Sequence, residues 1–378
     1  WGEQAPQSRY EVYNRDTHRF RQEILYRFNE GPDTTRYTVG EGGSYVDQDS
    51  NAFENYPTDA FGPYSNTAEN TYEEGQIYSF GEILYPLSET HQIGGTLRIE
   101  GRNLELKDSG SPQFVGSADD QEFLWGGDIS YNYLLDETQA FYVKLARGYK
   151  GGGINADRNA EQLYYDAEAL YEIEGGWNFS RPDGGLESRI SVFAFTRNDP
   201  QVRQWEIDPG FNYVLTQTNA DSSYGYGLEG TTSWMAREWL EMGGSLGLLQ
   251  SKIEADNIPT LADGRDQAMA PGYTFSVYGE VRPIPEAFLR LKVRGQDSVY
   301  YDSFYNGKSD AYQLVDLWAG YSIGGFEINF WVTNLFDTDY GTRSIYFGDY
   351  NDPTFVPELH FESLGDPRQI GVTVRYFF

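Results

Sequence analysis

The sequence predicts an all-β protein, an antiparallel transmembrane β-barrel of outer-membrane type with about 15 to 16 long strands. Three observations predict it. Apolar residues recur at every second position, the alternating segments are long, and the gaps between them are short and long in turn.

The alternation is clear at Tyr273, Phe275, Val277 and Val281, which oppose Thr274, Ser276, Glu280 and Arg282. Leu289, Leu291 and Val293 oppose Arg290, Lys292 and Arg294; Phe326, Ile328, Phe330 and Val332 alternate with Glu327, Asn329 and Trp331. Ile93, Leu97 and Ile99 likewise oppose Thr96, Arg98 and Glu100. Strands are predicted near 19–29, 35–47, 73–87, 91–105, 121–134, 138–150, 165–180, 186–198, 222–235, 240–254, 269–282, 288–301, 311–321, 326–340 and 366–378. Many are longer than the usual five or six residues of soluble folds and suit a tilted bilayer crossing.

Short gaps near 30–34, 88–90, 135–137, 181–185, 236–239, 283–287 and 322–325 alternate with long ones near 48–72, 106–120, 151–164, 199–221, 255–268, 302–310 and 341–365. One rim therefore carries turns and the other carries loops. Pro182-Asp183-Gly184-Gly185, Pro283-Ile284-Pro285 and Gly324-Gly325 supply the turn chemistry. Single-chain bacterial barrels close with an even number of strands, so residues 8–15 are a candidate sixteenth. The other way to complete the wall is with strands outside this chain.

Composition removes several functions. With 28 basic and 58 acidic residues the formal charge is −30, which repels nucleic-acid phosphates. The lack of cysteine excludes disulfides, thiolate nucleophiles and Cys-ligated zinc. His18, His91 and His360 are far apart, so no close-spaced metal signature exists and no cofactor is expected; a metal site is left open. No Ser/His/Asp order or supported carboxylate pair suggests an enzyme. No apolar run approaches 18 residues, which excludes a helical span but not a barrel with one apolar face. Trp125, Trp177, Trp234, Trp239, Tyr300, Tyr301, Tyr340 and Phe378 lie near strand ends, as expected at headgroup level.

Some residues test the phase. Arg147 shares the face of Phe141, Val143 and Leu145, and is placed near the outer rim, where it can snorkel or meet a lipid phosphate. Glu82 and Asp316 run against simple alternation, whereas Glu229 fits a lumen position beside Gly225 and Gly227. Gly151, Gly152 and Gly153 follow Lys150 and permit a sharp departure or close approach; the phosphate-loop pattern is missing. Asp337 can accept backbone N–H groups in a turn, and Asn334 can satisfy strand-end groups.

The last residues are the most specific. Ile370, Val372, Val374, Tyr376 and Phe378 alternate with Gly371, Thr373 and Arg375 up to the chain end, resembling the final strand by which outer-membrane barrels are recognised for assembly. YVKLARGYKGGGIN at 142–155 contains Arg147, Gly148, Tyr149, Gly152, Gly153 and Asn155. GYGLEGTTSWMAREWLEMGGSLGLLQSKI at 225–253 contains Glu229, and NFWVTNLFDTDYGT at 329–342 contains Asn334, Leu335, Phe336, Asp337 and Tyr340. With 20–28, 78–102 and GDPRQIGVTVRYFF at 365–378, these stretches resemble the C-terminal barrel portion of TonB-dependent outer-membrane receptors over nearly the whole chain.

That resemblance implies a 22-stranded barrel, an N-terminal plug and a TonB-coupling segment. No candidate for plug or coupling segment precedes residue 20, so 1–378 is expected to be one barrel portion, without those parts or the first strands. It further implies the Gram-negative outer membrane, with long loops extracellular and short turns and the C-terminus periplasmic. The implied partners are outer-membrane lipid and lipopolysaccharide, the TonB complex through the N-terminal region, and a scarce solute. A ferric siderophore leads, ahead of sugar, cobalamin or another nutrient. Candidate solute contacts are Tyr56, Tyr64, Lys150, Arg203, Trp205, Tyr213, Tyr305, Tyr346 and Phe347. An anionic chelate would need local cations, to which Arg158, Arg197 and Arg343 could add; Glu254, Asp256, Asp263 and Asp266 could instead hold divalent ions. Two alternatives stand beside the receptor: a passive 16-stranded porin using 8–15, and a degenerate receptor barrel serving structure or assembly.

Overall fold

A computed structural model describes residues 10–28, 35–59, 62–108, 116–155, 162–207, 213–256, 258, 264–347 and 359–378. The chain runs through β1 (Tyr10–Phe28), β2 (Arg36–Asp59), β3 (Gly62–Pro86), β4 (His91–Asp108), β5 (Ser117–Leu134) and β6 (Gln139–Lys150). The short β7 (Gly153–Ile154) and β8 (Tyr164–Tyr165) precede β9 (Glu168–Arg181) and β10 (Leu186–Asn198). A hairpin of β11 (Gln201–Ile207) and β12 (Tyr213–Asn219) leads to β13 (Ser222–Arg237), β14 (Leu240–Glu254), β15 (Tyr273–Ile284), β16 (Ala287–Gln296), β17 (Tyr312–Ile323) and β18 (Phe326–Thr333). A second hairpin, β19 (Gly341–Phe347) and β20 (Leu359–Leu364), precedes β21 (Gln369–Tyr376).

Fifteen strands form one sheet in the order β1-β2-β3-β4-β5-β6-β9-β10-β13-β14-β15-β16-β17-β18-β21, so each main strand lies beside its predecessor. All of the ladders are antiparallel, as short turns require. Gly324 and Gly325 have φ of 55° and 84°, the left-handed pair that a tight hairpin turn between β17 and β18 needs.

Pairing fixes which residues share a face. Leu97 opposes Gly127, which opposes Arg147, while Ile129 opposes Leu145. This face is apolar and open: Ile77, Ile129 and Val372 are 73%, 66% and 62% exposed. Buried residues gather on the other face, among them Tyr78, Glu100, Leu314 and Asp316. Glu82 shares the parity of Tyr78, between Thr38 and Thr96, and Asp316 opposes Lys292. Both acids therefore obey the alternation, with their charge on the buried face.

Other boundaries move. Tyr10–Arg15 are continuous with β1, so the proposed sixteenth strand from 8–15 does not form as a separate element, and a 16-stranded porin built on it loses its basis. β2 and β3 continue into the predicted 48–72 gap, reaching 24 and 25 residues, because their ladder persists beyond the end of β4. The 199–221 and 341–365 gaps each contain a hairpin outside the main sheet. β21 stops at Tyr376, and Phe378 lies edge-on to the Tyr376 ring at 5.2 Å.

Candidate functional site

The charged face is a series of ion pairs, some along one strand and some between neighbouring strands. Arg98 bonds Glu100 at 2.6 Å and lies 3.7 Å from the centre of the Tyr78 ring, while the Tyr78 hydroxyl donates to Glu23 at 2.7 Å. Lys144 contacts Glu174 at 2.9 Å and Glu172 at 3.2 Å. Farther along, Arg282 meets Glu280 at 2.6 Å and Arg294 meets Asp316 at 3.0 Å. Glu100, Glu280 and Asp316 are among the least exposed charges of the described residues, and pairing is what makes their burial tolerable.

At the loop end, Arg102 joins this face to the glycine segment. Its guanidinium bonds Glu74 at 2.8 Å and Glu122 at 3.1 Å, and donates to the Gly152 carbonyl at 2.7 Å. Glu122 accepts the Gly152 N–H at 2.7 Å, so an ion pair holds both backbone polar groups of one glycine. A Cβ on Gly152 would stand 2.6 Å from the Glu122 carboxylate and would also strike the Tyr165 carbonyl. The triple glycine is thus a site of close backbone approach. Asn155 continues the seam, donating to the Gln162 and Gln217 carbonyls and accepting the Gln217 N–H, each at 2.8 Å. Tyr149 donates to Glu100 at 3.0 Å and accepts from Arg98 at 3.1 Å.

Three connections meet in a small dry core. Val202 lies in β11 and Ala220 just follows β12, Ile253 is at the end of β14 with Ala255 and Ile258 beyond it, and Phe304 and Tyr305 come from the segment between β16 and β17. Arg265 reinforces it, donating to the Tyr305 and Asp302 carbonyls at 2.9 and 2.6 Å.

Asn334 lies at the end of β18 with φ of 50°. Its side chain donates to the Thr338 carbonyl at 2.9 Å and the Asp366 carbonyl at 3.2 Å, and accepts the Thr338 N–H at 2.9 Å. Its own N–H donates to Asp316. Asp337, with φ of 56°, accepts the Arg368 N–H at 2.8 Å, and Leu335 N–H donates to Val315. Tyr340 packs on Tyr312 at 4.6 Å, whereas Phe336 is exposed. These residues bind the last connection to the sheet.

The proposed solute contacts are scattered among separate connections. Tyr56 opposes Tyr64 near the end of β2–β3, Trp205 and Tyr213 belong to β11–β12, and Tyr346 and Phe347 belong to β19. The side chains of these six lie outside the described residues. Lys150 and Arg203 are exposed, but Tyr305 is 9% exposed inside the dry core and is not an accessible contact as placed. Arg197 pairs with Glu168, Asp266 pairs with Lys252, and Arg158 and Asp263 lie outside the described residues. No group of three or more acidic or histidine side chains is arranged for a metal among the described residues. Glu229 shares its face with Gly225 and Gly227, between Ser191 and Gly247. Sequence reasoning missed Arg102, Glu74 and Glu122; only their charge at buried-face parity hinted at them.

Comparison with known proteins agrees with this architecture. The profile of the family described as TonB dependent receptor-like, beta-barrel, matches residues 2–335. The pesticin receptor of Yersinia pestis is 25% identical over 338 residues, covering 84% of this chain and 46% of its own length. The ferric yersiniabactin uptake receptor FyuA from Yersinia pestis superposes with a TM-score of 0.82 at 18% identity, covering 98% of this chain and 56% of that one. The copper transporter OprC gives 0.74 at 14% identity, covering 99% and 58%. The chain spans about half the length of the relatives it matches.

Proposed function

Because the chain belongs to the TonB-dependent receptor-like β-barrel family, we propose that it forms the wall of an outer-membrane receptor for TonB-coupled uptake of a ferric siderophore. The observation that carries this reading is a long-stranded sheet with one exposed apolar face and one face of buried ion pairs. The apolar face meets lipid and the charged face lines the lumen. Fifteen strands here leave seven for a barrel of about 22, and these, with the plug and coupling segment, belong to the rest of the receptor. The short turns and β21 face the periplasm, and the long connections stand outside the cell. Residues 1–378 act as one barrel domain.

The barrel performs binding and gated passage, without making or breaking covalent bonds. Lys150, Arg203, Tyr56, Tyr64, Trp205, Tyr213, Tyr346 and Phe347 belong to the connections that would first meet the solute and are assigned to its capture. Iron chelates lead because the similar proteins include a ferric yersiniabactin uptake receptor, and copper is the competing cargo because they also include a copper transporter. The test is uptake of ferric chelates, copper, sugars and cobalamin by strains with and without the full-length gene. Loss of ferric-chelate uptake, restored by the gene, supports the proposal. Equal uptake of every solute by both strains overturns it.

A further inference from the structure

On the apolar face, Arg147 is held in a fixed orientation by two aromatic residues from the adjacent strands. Its guanidinium lies 4.1 Å from the centre of the Trp125 ring on β5 and 5.5 Å from that of Tyr171 on β9. Nε donates to the Tyr171 hydroxyl at 3.2 Å, and Nη1 donates to the Trp125 carbonyl. Nη2 makes no hydrogen bond, and no carboxylate pairs with Arg147, among the described residues. This contrasts with the arginines of the opposite face, which bond acidic neighbours.

Position determines which anion can answer it. Arg147 is the eighth residue beyond Gln139, where β6 leaves its turn, and follows the exposed Phe141, Val143 and Leu145. At about 3.3 Å per residue and a tilt of about 40°, its backbone stands roughly 20 Å above that turn, in the upper part of an apolar face that continues to Phe123 and Ile77, and its guanidinium reaches farther toward the loop rim along Trp125. An unpaired cation is expensive in hydrocarbon and stable at the headgroups. Trp and Tyr are the aromatic residues suited to that level.

We propose that Trp125, Arg147 and Tyr171 form a binding subsite for a phosphate group of an outer-leaflet lipid. The rings hold the guanidinium flat against the wall, and Nη2 presents charge-assisted donors to the phosphate oxygens. Prior orientation lowers the entropic cost of capture. The inference rests on the apolar face meeting lipid, and is independent of which solute is carried.

The test uses full-length receptor purified from outer membranes, with bound lipid measured by native mass spectrometry. Bisphosphorylated lipid A, dephosphorylated lipid A and inorganic phosphate are the probes. Wild type should retain the bisphosphorylated form about tenfold better than the dephosphorylated one, in line with one charge-assisted contact. Arg147→Gln should abolish that preference, whereas Arg147→Lys should keep part of it. Tyr171→Phe, which preserves charge and removes one anchor, should reduce it about twofold, and reports separately if R147Q fails to assemble. An unchanged preference in R147Q, or in Y171F when R147Q cannot assemble, would overturn the subsite. So would the absence of a preference in wild type, or displacement of lipid A by inorganic phosphate at equal concentration.

Discussion

Leu145 and Ala146 are consecutive residues of β6, yet their surroundings share little. Leu145 opposes Ile129 and Ile173 on the exposed apolar face, whereas Ala146 opposes Asp128 and Glu172 beside Lys144. A single step along the strand therefore changes the effective solvent. The two faces also use different energetics: one gains by apolar transfer, the other by pairing charges that are already partly desolvated.

The largest effect expected is a direct test of this contrast. Leu145→Lys should destabilise the barrel by about 2–4 kcal/mol in urea titrations in lipid vesicles, and Ala146→Lys by less than about 0.5 kcal/mol. Equal losses would break the distinction between the faces. Next, Asn334→Ala removes an amide that satisfies three backbone groups, and should cost about 2–3 kcal/mol. Asn334→Gly restores the ease of positive φ but not those bonds, so it should recover only about 1 kcal/mol. Recovery of full stability by glycine would show that backbone conformation alone matters there.

Arg102→Gln should cost about 1–2 kcal/mol, because its carboxylate partners remain partly hydrated. The sharper measurement is proteolysis, which should accelerate between Gly151 and Tyr165 once the clamp on Gly152 is lost. Unchanged cleavage would mean that the Asn155 bonds to Gln162 and Gln217 hold this segment without the clamp. The smallest effect concerns the exposed turn at Asp136. The Thr138 hydroxyl and N–H hold its carboxyl below the usual carboxylate range. A depressed folded value means stabilisation that is present above the ordinary carboxylate range and is lost as pH falls through the depressed one. Protection of the Thr138 N–H, corrected for intrinsic exchange, should therefore fall in acid, and Asp136→Asn should remove that dependence.

The main sheet was legible because a period of two leaves a repeated mark wherever one face is apolar. Fifteen predicted strands correspond to fifteen in the sheet, and the Gly324-Gly325 turn falls where its composition placed it. The hairpins in the long gaps were less legible, because QVRQWEI and GTRSIYF lack a sustained apolar face. Ion pairs such as Arg102 with Glu74 and Glu122 span 28 and 20 residues, so only the register brings them together. Tyr305 illustrates the limit of composition: an aromatic loop residue suits solute contact and loop packing equally, and its neighbours decided for packing.

The apolar nucleus shared by three of the long connections has a consequence for engineering them. Replacing only the β11–β12 connection would withdraw Val202 and Ala220 from Ile253 and Phe304, leaving greasy surface on segments that were never altered. Chimeras exchanging all three contributing stretches as a cassette should fold where single-loop grafts aggregate. Selection on these connections therefore operates on a block of sequence spanning about a hundred residues, from Val202 to Tyr305, rather than on independent fingers.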